Sequence, residues 1–85
     1  MTEEQDQRLE AALRSPTPPE TLRDYALELS RKGMKRKDIY SIFREMFDTL
    51  DSEGRETEQG HIELILDSIT HFMSPSNPLY LNLPE

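Results

Sequence analysis

The stretch that decides the fold runs from Arg36 to Leu50 and reads RKDIYSIFREMFDTL. Its apolar residues recur at helical spacing, and they are Ile39, Ile42, Phe43, Met46 and Leu50. Tyr40 and Phe47 widen this stripe to an arc of roughly 160° at 100° per residue. One packing partner does not require so wide an arc. The stretch therefore predicts a central helix that contacts two neighbours, or the core and a partner protein.

The residues before this helix predict another helix with clear start and stop signals. Thr17 can serve as its N-cap, and Pro18 suits the first helical position because no backbone N–H is needed there. Gly33 suits the left-handed conformation that ends a helix. The apolar face of this helix consists of Leu22, Tyr25, Ala26 and Leu29.

Two more helices are predicted towards the chain ends. Apolar spacing predicts one from about Thr57 to Met73, with Ile62, Ile65, Leu66, Ile69, Phe72 and Met73 on one side. The other runs from about Glu3 to Arg14, where Thr2 and Gln5 have the spacing of a capping box. Its apolar face is thin, comprising Leu9, Ala12 and Leu13, and predicts weak docking.

The sequence thus predicts one all-α domain over residues 1–85, a small three- to four-helix bundle with a Pro-containing C-terminal tail packed on it. Residues 18–73 form the three-helix core, 1–14 the N-terminal helix and 74–85 the extended tail. The predicted core is Leu22, Tyr25, Ala26, Leu29, Ile39, Ile42, Phe43, Met46, Leu50, Ile62, Ile65, Leu66, Ile69 and Phe72. Alternating apolar residues predict that the tail folds back, the alternative being a docking strand for a partner or a symmetry mate.

Charge is segregated along the chain, whose net charge is -7. Residues 29–44 have a net charge of +5, whereas residues 1–28 and 45–85 have -4 and -8. Five cations form a basic turn: Arg31, Lys32, Lys35, Arg36 and Lys37. The last three open a helix, where cations are disfavoured by about 0.3–1 kcal/mol each. Such local conflicts occur at functional sites, so the turn is a candidate binding surface. The alternative is a solvated turn that balances Asp24, Glu28 and Asp38.

An acidic arm over residues 45–67 is the second candidate surface. It has eight carboxylates against one cation, Arg55, and includes Glu53, Glu56 and Glu58. Such a surface suits a basic partner protein, including a nucleic-acid-binding one whose basic site it would cover. The alternative is a surface that only keeps the protein dissolved and monomeric.

Reactive groups do not suggest catalysis. The chain has no Cys, and its three glycines are isolated, so no phosphate loop is recognisable. Glu63, Asp67 and His71 share one side of a helix and could not surround a metal ion. We therefore predict no enzyme, no catalytic residue, no metal and no cofactor.

No apolar run suits a bilayer, and the acidic N-terminus is unlike a signal peptide, so we expect a cytoplasmic protein without a membrane partner.

The leading functional prediction is a non-enzymatic protein–protein interaction module that binds by electrostatic steering. Size and charge make it analogous to small acidic inhibitors and adaptors such as immunity proteins, antitoxins and phage-encoded inhibitors. The partner is expected to be another protein, with a basic surface for the acidic arm or an acidic patch for the basic turn. The predicted contact residues are Arg31, Lys32, Lys35, Arg36, Lys37, Tyr40, Phe47, Glu53, Glu56, Glu58, Leu79, Tyr80 and Leu81.

Two alternatives stay open. Leu29 to Tyr40 resembles the opening of a helix-turn-helix, which implies a nucleic-acid-binding regulator that uses the basic turn. It departs from that motif because Lys35 stands where Ser or Thr is usual. In addition, residues 43–47 run on without the Gly of a second turn, and the helix that follows is acidic. The other alternative is a homo-oligomeric structural protein joined through Tyr40 and Phe47 or through the tail.

Overall fold

The computed structural model of this chain describes residues 1–70, 76–77, 79–81 and 83. These residues form four α-helices and no strand, which confirms the all-α prediction. The helices are α1 (Glu3–Leu13), α2 (Pro18–Arg31), α3 (Arg36–Ser52) and α4 (Glu56–Ile69). Across the described part of the chain, no helix is both long enough and apolar enough to cross a membrane.

The start of α1 follows from its capping box. The Gln5 backbone N–H donates to Thr2 Oγ1 at 3.1 Å, and the Thr2 backbone N–H donates to Gln5 Oε1 at 2.9 Å. At α2, Thr17 occupies the N-cap as predicted but makes no side-chain cap hydrogen bond. Pro19 at the second helical position has no N–H, so one of the two donors that an N-cap side chain usually satisfies is missing.

Both α2 and α3 end in a glycine turn of the Schellman type. After α2, Gly33 has φ +94°, its N–H donates to Ser30 O, and Met34 N–H donates to Leu29 O. After α3, Gly54 has φ +70° and the same pair of bonds forms. These turns fix where the chain leaves each helix, and the second one positions Arg55 at the start of α4.

The core contains every predicted core residue within the described part of the chain. Phe72 and the predicted helix end at Met73 lie outside the described residues. The thin apolar face of α1 is also fully used, because Leu9 is 0% exposed and joins the same cluster. The structure therefore places α1 in the core, while the weak docking predicted from its thin apolar face stays a prediction that stability measurements can test.

The helices pack in two pairs, α1 with α2 and α3 with α4, and α2 links the pairs mainly through α4. Phe43 of α3 is fully buried, and its ring lies 6.5 Å from the ring of Tyr25 on α2. The tail residues Leu81 and Leu83 are also buried in this cluster, so this described part of the tail packs on the bundle as predicted. The radius of gyration, 11.8 Å, is what a fully folded chain of this length should have.

We expect Leu9→Ala to destabilise the domain by about 2–5 kcal/mol, because it leaves a cavity where α1 meets the core. Urea unfolding followed by circular dichroism measures this loss. Leu64→Ala is the matched control, since Leu64 is 39% exposed and its truncation should change stability by less than about 0.5 kcal/mol. Equal, small effects of the two substitutions would show that α1 docks only superficially.

Candidate functional site

The basic turn lies between α2 and α3, and its charges are largely not neutralised by neighbours. Arg31, Lys32, Lys35 and Lys37 are exposed and Arg36 is half-buried. Lys32 Nζ lies 3.5 Å from Glu28 Oε2. Within the described residues, the side chains of Arg31, Lys35 and Lys37 take part in no ion pair. A local excess of positive charge therefore faces solvent.

Two of the acids that could have balanced this turn, Asp24 and Glu28, bind cations outside it, although Glu28 also pairs with Lys32. Glu28 accepts two hydrogen bonds from the Arg8 guanidinium, at 2.8 and 2.9 Å, and Arg8 also stacks on the Tyr25 ring. These hydrogen bonds lower the pKa of the Glu28 carboxyl. Asp24 lies 3.1 Å from a nitrogen of Arg23. Two of the three acids near the turn in sequence thus pair with cations outside it.

Side-chain charge along α3 adds to the helix dipole instead of opposing it. Lys35 is the N-cap and makes no side-chain cap hydrogen bond, so cations sit at the positive end of the dipole. The last turn contains no basic residue, and Asp48, Asp51 and Glu53 lie at the negative end. A helix of 17 residues separates these two charge centres by about 25 Å. The domain therefore has a permanent charge asymmetry along α3.

A cavity of about 790 Å³ opens beside the N-terminus of α3. Its lining combines α3 with the last residues of α4, and comprises Lys35, Arg36, Lys37, Tyr40, Ser41, Ile69 and Thr70. The structure thus brings three predicted cations together with Tyr40, which the sequence linked to an oligomer interface. Lys37 and Ser41 lie one helical turn apart, and this proximity can be predicted from their spacing in sequence. The presence of Ile69 in the lining could not be predicted, because it depends on how α4 packs against α3.

The acidic arm contains an arginine clamp, which comprises Arg55, Glu10, Glu53 and Glu58. Arg55 donates two hydrogen bonds to Glu10 of α1, at 2.7 and 3.0 Å, and Nε donates to Glu58 at 2.9 Å. It donates further bonds to Glu58 and, at 2.9 Å, to Glu53. One guanidinium thereby joins α1, the α3–α4 turn and α4. Sequence reasoning missed Glu10 because it lies 45 residues from Arg55.

The clamp changes the titration of its carboxylates. Hydrogen bonding to Arg55 lowers the pKa of Glu10 and of Glu58, against an opposing effect of burial. The same bonds raise the pKa of Arg55. Of the three acidic-arm residues predicted to contact a partner, Glu53 and Glu58 are thus already bound within the domain. Glu56 is exposed and belongs to the first turn of α4.

The apolar residues predicted to contact a partner are mostly covered. Tyr40 and Phe47 are half-buried against the core, and the Arg44 guanidinium lies 5.0 Å above the Phe47 ring. Leu79 and Tyr80 are half-buried, whereas Leu81 is 1% exposed and cannot contact a partner while the tail is docked. The large apolar side chains that stay well exposed in the described residues are Met1 and Leu64, at 40% and 39%.

Among the described residues, no group of three or more His, Asp or Glu side chains could hold a metal ion. His71, part of the trio considered from the sequence, lies outside the described residues.

No protein-family model matches the chain, and comparisons with curated proteins and with solved structures give no match.

Arg55→Gln should destabilise the domain by roughly 1–3 kcal/mol at pH 7, because three carboxylates lose their shared cation. Since the native pKa values of Glu10 and Glu58 are lowered, the clamp stabilises the fold above the unfolded glutamate pKa of about 4.3. That contribution disappears as the pH falls through the native pKa values. Urea unfolding across pH 3–7 should show wild type and variant converging at the acidic end.

Arg44→Gln is the matched control for the clamp, since Arg44 makes an exposed pair with Asp48 at 3.4 Å. Its loss should cost less than about 1 kcal/mol. A difference between Arg55→Gln and wild type that stays constant from pH 7 to pH 3 would show that the clamp carboxylates do not titrate with the fold.

Lys35→Asp should stabilise the domain by about 1 kcal/mol, because aspartate caps α3 and removes a cation from its positive end. Differential scanning calorimetry should show a rise in Tm of about 4–8 °C. Lys32→Asp is the control, since the same change of charge at the end of α2 opposes the dipole and should lower Tm. A fall in Tm for both variants would show that Lys35 supports the fold.

Proposed function

We propose that this domain is a non-enzymatic protein-binding module, a small acidic inhibitor or adaptor that captures its partner by electrostatic steering through the basic turn. The observation that supports this most is the exposure of Arg31, Lys35 and Lys37 without an ion pair in the described residues, although nearby acids pair elsewhere. A folding role alone would favour acids, not cations, at the start of α3. We therefore propose that these cations bind a partner protein.

The basic turn is a better contact surface than the acidic arm. Glu53 and Glu58 are held by Arg55, so a basic partner would have to compete with a guanidinium that already binds them. Within the described residues, Arg31, Lys35 and Lys37 face no comparable competition, since none of them takes part in an ion pair, and Lys32 has one at 3.5 Å. We therefore expect the partner to present an acidic surface.

The distribution of apolar side chains also favours charge-driven binding. Met1 and Leu64 are the well-exposed large apolar residues of the described part, and single exposed residues of this kind are normal on monomers. An obligate interface resembles a protein core and needs a larger apolar patch. We therefore propose that the domain binds its partner as a folded monomer.

A protein partner fits the charge better than a nucleic acid. The sequence pI is about 4.8, and outside residues 29–44 both halves of the chain are acidic. Duplex binding gains its affinity from many phosphate contacts, and nucleic-acid-binding domains are usually strongly basic. A compact acidic patch on a protein requires only a few cations, which the basic turn provides.

The proposal predicts that the tagged domain retains one stoichiometric protein from lysate of its native cell, and that raised salt releases it. A basic-turn variant combining Arg31→Gln, Lys32→Gln, Lys35→Gln and Lys37→Gln should bind that protein about tenfold or more weakly. The control combines Glu56→Gln, Glu63→Gln and Asp67→Asn, which leaves the arginine clamp intact. Mass spectrometry identifies the protein, and titration of the purified pair gives the affinities.

Loss of binding by the acidic variant and not by the basic-turn variant would move the contact to the acidic arm. Retained material that nuclease removes would contradict a protein partner and support the nucleic-acid alternative. Light scattering on the free domain provides a separate check, since a monomer is expected at high concentration.

A further inference from the structure

We propose that the cavity beside the basic turn is a recognition groove for an extended acidic segment of the partner, with cations on its rim and an apolar side chain of the segment inside. This inference rests on the proposed function and names the chemistry of the partner. It follows from the way α3 and α4 place Lys35, Arg36 and Lys37 next to Tyr40 and Ile69.

The rim of the groove selects negative charge. Lys35, Arg36 and Lys37 are consecutive residues that open α3, and two of them are fully exposed. The positive end of the helix dipole lies at the same place and adds to their field. Carboxylates that approach the groove would therefore be attracted by side chains and by backbone together.

The interior of the groove suits an apolar side chain. Tyr40 is half-buried and packs against the core, and Ile69, which is 1% exposed, also lines the groove. A cavity of about 790 Å³ is large for a phosphate or a single carboxylate. It falls within the ~300–1,000 Å³ of sites that enclose a compact ligand. The volume has room for several residues of an extended segment, and a leucine or aromatic side chain of that segment suits the wall formed by Tyr40 and Ile69.

Two hydroxyl groups supply the acceptors that an extended segment needs. Ser41 Oγ donates its hydrogen to Lys37 O at 3.1 Å, and Thr70 Oγ1 donates to Leu66 O at 3.0 Å. Because each hydroxyl has one hydrogen and two lone pairs, both oxygens can still accept a hydrogen bond. The groove thus offers cations to carboxylates and hydroxyl oxygens to the backbone N–H groups of a peptide.

The surroundings favour a short acidic peptide over a continuous phosphate chain. Asp38 follows the three cations directly and is exposed, and Asp67 is exposed on the last turn of α4. These exposed carboxylates lie close in sequence to lining residues of the groove, and they add to the negative charge that disfavours a long phosphate chain. In a peptide, the acidic residues can be limited to the part that contacts the cations.

The test measures fluorescence anisotropy of labelled short peptides rich in Glu and Asp, with Leu, Phe or Tyr at the centre, against matched peptides with Ser at the centre. Three purified variants are compared with wild type: Lys35→Gln with Lys37→Gln, Arg31→Gln with Lys32→Gln, and Ser41→Trp. The two double variants lose the same charge from the same turn, but only the first pair lines the groove. Ser41 is exposed, so a tryptophan there fills the groove without changing charge.

We expect the pair Lys35→Gln and Lys37→Gln to weaken binding of the apolar-centred peptides about tenfold, and the pair Arg31→Gln and Lys32→Gln less than about threefold. Ser at the peptide centre should weaken binding by about tenfold or more. Ser41→Trp should abolish binding while Tm stays near that of wild type.

Equal weakening by the two double variants, with no preference for an apolar centre, would overturn the groove while leaving the basic turn as the contact surface. Failure of every peptide to bind would also overturn it. Duplex DNA that binds more tightly than the peptides, through Lys35 and Lys37, would overturn the peptide groove in favour of nucleic acid. A separate result tests the proposed function: capture of the cellular partner at full affinity by the four-cation variant would overturn it.

Discussion

Burial of the apolar face of α3 is the constraint on which the rest of this structure depends. Only 34% of the chain is hydrophobic, and a domain of 85 residues retains a net stability of only a few kcal/mol. Covering Phe43 and its neighbours on α3 therefore requires nearly every apolar residue that the chain has. The helix α1 and the tail residues Leu81 and Leu83 are drawn into the same cluster. As a result, little apolar surface remains for recognition, and charge becomes the main feature of the outside.

The two ends of α3 use charge in opposite ways. At one end, cations gather where the dipole is already positive and most of them stay exposed. At the other, the arginine clamp satisfies its charges internally and holds α1 to α4. One charged cluster therefore maintains the fold, and the other is left available for interaction. The number of charges along the chain does not distinguish these two roles, because each cluster has an excess of one sign. The excess is positive in the basic turn and negative in the arginine clamp.

Much of the fold could be predicted from local patterns. The periodicity of α3, the capping box at Thr2 and the stop at Gly33 depend on neighbouring residues, and the structure confirms each of them. Features that depend on distant pairs could not be predicted. Glu10 meets Arg55 across 45 residues, and Ile69 lines the cavity of Lys37, only because the helices pair in one particular way. The full burial of the apolar face of α1 could not be predicted for the same reason, because it depends on which residues pack over Leu9.

The participation of both Leu9 and Leu83 in one cluster has a consequence for synthesis of the protein. A ribosome makes Leu9 early and Leu83 late, so the nascent chain lacks part of its core until almost all of the domain has emerged. During that interval the apolar faces of α1 and α3 are incompletely covered and are available to chaperones. Complete packing of the core should therefore wait until Leu83 has left the ribosome.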